Sequence, residues 1–79
     1  MEKIEILRKL TAIFRTIFIN DSLILTYELT ANDVENWDSL SHMLLITEIE
    51  NCFSIKFKLK DLNKMRNVGD MVDIINSKL

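Results

Sequence analysis

"WDSLSHMLLITEIENCF", residues 37–53, decides the fold, because its apolar residues recur at helical spacing. On a helical wheel Leu45, Ile46, Ile49, Cys52 and Phe53 fall in one arc, which predicts a helix with these residues facing a core. Asp38 then stands at the N-cap and Ser39 at the first helical position. The first N–H groups of a helix lack internal partners and its dipole is positive there, so an anion held on Ser39 is stabilised. Asp-Ser-Leu also occurs at 21–23, but "LILTYELT" follows it, β-branched and alternating, with no helix to open. Ser39 and not Ser22 is the candidate for carrying a group.

Upstream, Leu7, Leu10, Ile13, Phe14, Ile17 and Phe18 step by three and four, predicting a helix over about 3–18. From Ile19 to Trp37 that pattern fails. Leu23, Leu25, Tyr27 and Leu29 alternate among the turn formers Asn20, Asp21, Asn32, Asp33 and Asn36, and a lone strand has no partner. The segment reads as a long ordered loop with its apolar residues laid on the bundle, and loops of that length usually carry function. Downstream, "SIKFKLKDLNKMR" (54–66) reads as an extended lead-in and a short helix near 59–65. Val68, Met71, Val72, Ile75 and Leu79 mark the last helix, with Asn67 as N-cap and Asp70 in its first turn. One glycine and no proline leave little for the turns of a β-fold. The expectation is an all-α four-helix bundle with a long first loop and a short third helix, residues 1–79 forming one domain.

Composition narrows the functions. A chain of 79 residues builds a core that supplies only about 3–5 kcal/mol. One cysteine and one histidine exclude a disulfide framework and a zinc cluster. The N-terminal "MEKIEILRKLTAIFRTIF" alternates charge with apolar residues, unlike a signal peptide or a membrane span, so a soluble cytoplasmic protein is expected. The net charge of −2 hides segregation: residues 20–53 hold Asp21, Glu28, Asp33, Glu35, Asp38, Glu48 and Glu50 with no lysine or arginine, whereas 54–66 hold Lys56, Lys58, Lys60, Lys64 and Arg66 against Asp61. An acidic middle disfavours nucleic acid and favours a basic partner surface.

Leu40, Met43 and Leu44 lie opposite the core arc, where a purely structural helix would show charges; such a patch marks a contact surface unless the long loop covers it. A hydrolase using Ser39 and His42 would need an oxyanion hole, an orienting acid and a cleft, none evident in so small a bundle. His42 reads as a half-buried packing residue and Cys52 as a small core residue. A helical adaptor or dimerising module with a fortuitous Asp-Ser-Leu is a further reading, and a helix-turn-helix reading is opposed by the acidic recognition helix.

Taken in full, "WDSLSHMLLITEIENCF" closely resembles the serine region of acyl and peptidyl carrier proteins, and the likeness runs through the first helix, the long loop and "NVGDMVDII" of the last. The resemblance implies a monomeric, non-catalytic carrier in a bacterial biosynthetic pathway for fatty acids or specialised metabolites. It implies 4'-phosphopantetheine on Ser39, holding acyl or aminoacyl groups as thioesters, with Asp38 as the flanking acid facing the phosphopantetheinyl transferase (the holo-carrier-protein synthase) and its metal. Leu40, Met43, Leu44, Glu48 and Glu50 become the face met by loading and transfer enzymes, with no nucleic acid or membrane partner. Asn36 stands where many family members have glycine, and asparagine tolerates a left-handed backbone better than most residues. Leu44 replaces a common acid, and Trp37 before the tripeptide resembles stand-alone carriers of specialised pathways, or carriers of aminoacyl groups.

Overall fold

Ile6, Leu10 and Phe14 lie one turn apart along α1 (Lys3–Ile17) and are fully buried in the computed structural model, which describes all residues from Met1 to Leu79. Leu7, Ile13, Ile17 and Phe18 flank that line and are partly buried. The first helix is thus where its periodicity puts it, with Ile6 an unanticipated member of the buried stripe. Two longer helices, α2 (Ser39–Phe53) and α4 (Val68–Lys78), pack on α1, and α3 (Leu59–Asn63) is a single short turn and a half between them in the chain. All regular structure is helical, as expected. Leu45, Ile46, Ile49 and Phe53 of α2 are buried, as are Val68, Met71, Val72 and Ile75 of α4.

One assignment to the core is corrected. Cys52 is exposed; it sits at the edge of the α2 arc, about 70° from the arc's centre, beyond the cover of neighbouring elements. Leu79 is half exposed, because α4 ends at Lys78 and the helical track ends with it. The third helix also stops at Asn63, short of 65, and Leu59 at its start faces solvent. What anchors this short helix is Asp61, a nearly buried acid: its Oδ2 accepts the Lys58 N–H at 2.8 Å and lies 2.8 Å from Lys78 Nζ in α4. The Lys78 hydrogen bond, with that of the Lys58 N–H, holds the Asp61 carboxyl below its ordinary range.

The long loop is ordered by what α4 lacks. The first N–H groups of a helix need outside acceptors, and here Val68 donates to the Leu29 carbonyl at 3.0 Å and Gly69 to the Tyr27 carbonyl at 2.8 Å. The third, of Asp70, donates to the side-chain Oδ1 of its cap, Asn67, at 2.8 Å. The alternating stretch therefore finds its partner in a helix end. Leu25 is buried, Leu23 and Leu29 pack against the core, and Tyr27 is 41% exposed. The approach is close: a Cβ on Gly69 would stand 3.0 Å from the Tyr27 carbonyl oxygen.

Candidate functional site

The site begins at a left-handed residue. Asn36 has φ 70°, so the residue that replaces glycine does adopt the conformation for which glycine is usual. It turns the chain into the cap of α2, where Asp38 and Ser41 satisfy each other: Asp38 Oδ1 accepts the Ser41 N–H at 3.0 Å, and Ser41 Oγ accepts the Asp38 N–H at 2.9 Å. Ser41 Oγ also lies 2.9 Å from the Asn36 carbonyl, to which it donates, tying turn to helix. Ser41 went unnoticed in the sequence, although an oxygen-bearing side chain three residues after a cap is the signal for such a reciprocal pair. The Ser41 N–H, chiefly, lowers the Asp38 pKa, so this carboxylate is ionised at neutral pH.

Ser39 follows as the first helical residue, exposed, on a helix of 15 residues. Neither its N–H nor that of Leu40 has an acceptor within the helix. An anion esterified to Ser39 Oγ would sit beside these donors and the positive end of the dipole. Ser22 is also exposed, but its N–H is bonded to Asn20 Oδ1 at 3.0 Å in a turn, and no helix follows it.

Beside Ser39 the chain buries an aromatic wedge. Trp37 meets Phe14 edge to face, 5.2 Å between centroids at 85°, and its Nε1–H donates to His42 Nδ1 at 3.1 Å. His42 is half-buried, as expected, and burial lowers its pKa. Its Nδ1 is occupied by the indole and no carboxylate orients it, which leaves the Ser39–His42 pair without the third group a hydrolytic site requires.

On the outer side of α2, Leu40, Met43 and Leu44 are 74%, 52% and 51% exposed, so the long loop leaves this apolar patch open. The two acids expected there behave differently. Glu48 is exposed at the α1 side, bordering a shallow groove with Ile13 and Ile17. Glu50 is partly buried, and its Oε2 accepts the Phe57 N–H at 2.8 Å, fixing the lead-in to α3. No three His, Cys, Asp or Glu side chains converge as metal ligands, and no helix is long and apolar enough to cross a membrane.

No protein-family model matches the chain. Among solved structures, the holo acyl carrier protein of Geobacter metallireducens, determined in solution by NMR, is 51% identical and superposes with a TM-score of 0.87. The match covers 91% of this chain and 83% of that one. By that identity and coverage the chain belongs to the acyl carrier protein family, non-enzymatic carriers whose cofactor is covalent 4'-phosphopantetheine. Membership sets aside the adaptor reading, and the exposed serine hydroxyl at a helix start fits a phosphodiester of that cofactor.

Proposed function

We propose that Ser39 Oγ is the attachment point of the phosphopantetheine arm, whose terminal thiol holds an acyl or aminoacyl group as a thioester. The observation that carries this is the contrast between two serines in one tripeptide: Ser39 opens a 15-residue helix, and Ser22 opens none. In loading, Ser39 Oγ attacks the pyrophosphate of coenzyme A, a new P–O bond forms, the adenosine bisphosphate leaves, and the serine proton passes to the transferase. Asp38 has one carboxylate oxygen engaged by Ser41 and the other available to the transferase and its metal.

Residues 1–79 act as one carrier domain in this reading. Leu40, Met43 and Leu44 are its anchoring contacts with loading and transfer enzymes, and Glu48 steers encounter. An apolar patch in place of acids, and Trp37 before the serine, support partners in a specialised pathway over those of fatty acid synthesis. Incubation with coenzyme A and a broad-specificity phosphopantetheinyl transferase tests the attachment by intact mass. One arm per chain is expected, lost in Ser39→Ala and retained in Ser22→Ala; addition that survives Ser39→Ala overturns the assignment.

A further inference from the structure

Adjoining Ser39 is an open groove of about 500 Å³ lined by Ala31, Trp37, Asp38, Ser39, His42 and Met43. Its walls come from three places: the 3₁₀ turn at Ala31–Asp33, the entry to α2, and the first turn and a half of α2 itself. The back wall is rigid. Trp37 is held by Phe14, which is fully buried, and it lies nearly parallel to the His42 ring at 19°. The front wall is adaptable, because Met43 is exposed and unbranched.

We infer that this groove seats the near part of the arm attached to Ser39, a binding role for Trp37, His42 and Met43 that rests on the Ser39 assignment. Two observations support it. The hydroxyl that anchors the arm is itself a wall of the groove, so the occupant is tethered at an effective concentration on the order of millimolar, and even a weak contact fills the site. The lining also matches the ligand: the arm begins with a phosphate and a dimethyl-bearing carbon, then continues through amides. Trp37 and Met43 offer apolar surface for the methyl groups. His42, accepting at Nδ1 from the indole, carries its own proton on Nε2 and so has a donor for an amide carbonyl.

The single tryptophan gives a direct readout. Apo and fully modified chains, the latter confirmed by intact mass, are compared by Trp37 emission and by acrylamide quenching. Occupancy near one half or above lowers the quenching constant by up to about twofold in the modified chain. Met43→Ala, carried to complete modification with excess transferase and confirmed by intact mass, restores quenching to that of its own apo chain. Complete modification with unchanged quenching overturns the groove alone. Failure of the chain to gain an arm overturns the Ser39 assignment beneath it.

Discussion

Trp37 and His42 are joined by an indole N–H donating to an imidazole nitrogen over 3.1 Å, which requires His42 to be neutral at Nδ1 in the folded chain. Burial acts in the same direction and lowers the His42 pKa from its ordinary 6.5. The unfolded chain takes up a proton near 6.5 and the folded chain resists until lower pH. This contribution to stability is therefore whole above about pH 6.5 and declines as pH falls toward the folded value. A melting-temperature profile between about pH 7.5 and 5 should slope downward toward acid, and His42→Asn, which keeps an acceptor and loses the titration, should flatten it. A wild-type chain that gains stability over that interval refutes the assignment.

The Asp61–Lys78 pair acts in a different window. Its carboxyl is depressed by Lys78 and the Lys58 N–H, so the stabilisation is present above the ordinary carboxylate value of 3.8 and disappears as pH falls through the folded value. Lys78→Met should remove part of that acid-range dependence and loosen α3 first. Amide exchange at Leu62 and Asn63, faster in the variant than in wild type, is the check; equal protection would show that α3 is held by packing alone.

Phe53 and Cys52 are neighbours in sequence with opposite fates. Phe53 is 7% exposed and its loss to alanine should cost about 3–5 kcal/mol, comparable to the whole stability of so small a domain. Cys52→Ala, at an exposed site, should stay within about 0.5 kcal/mol of wild type. Denaturant melts that rank the two variants the other way would reverse the face assigned to α2.

Ile19, two residues past the end of α1, has φ 51° and is 91% exposed. The Asn20 N–H bonds the Arg15 carbonyl at 3.0 Å, a helix stop in which glycine normally occupies the position held by this β-branched residue. Relief of about 1–2 kcal/mol of backbone strain exceeds the roughly 0.4–1 kcal/mol that glycine's freer unfolded chain takes back. Ile19→Gly should raise the melting temperature by a few degrees, since about 1 kcal/mol is worth roughly 4–8 °C here. A lower value would mean that the isoleucine makes a contact of its own.

Partner recognition separates into charge and contact. Glu48→Gln should slow association with a loading enzyme and reduce its salt dependence, whereas Met43→Ala or Leu44→Ala should speed dissociation, because desolvated apolar anchors act after encounter. The apolar changes should dominate. Glu50→Gln belongs with neither: it weakens the acceptor of the Phe57 N–H and should register in stability as well as in binding. Rates measured at two salt concentrations distinguish these outcomes, and unchanged dissociation in both apolar variants would contradict the anchoring role.

The three longer helices were legible because each carries its own periodicity and two carry their own caps: Asp38 and Asn67 both proved to cap the helices that follow them. The place of Ser39 at the start of α2 was legible because Asp38 caps the periodic stretch that follows. Cys52 was misread because a wheel gives direction and says nothing about how far neighbouring elements extend over its margin. Asp61 and Glu50 were opaque for a related reason. Each bonds a backbone N–H and thereby sets the course of the chain, while charge counting treats them as interchangeable with Glu48. The loop's use of Tyr27 and Leu29 could not be read at all, since carbonyl groups are the same in every residue and only the tertiary fold brings them to α4.

That last contact bears on the order of assembly. Leu29 with Val68 and Tyr27 with Gly69 are hydrogen-bonded pairs separated by roughly forty residues of chain, and the entropy of closing such a span is lost before the bonds can form. Stretches as short as α4 are marginal helices in isolation. Its first turn therefore waits for the loop to return, and the kinetic barrier to folding should include this closure. Substitutions that disturb the junction, Gly69→Ala among them, should therefore slow refolding more than they speed unfolding.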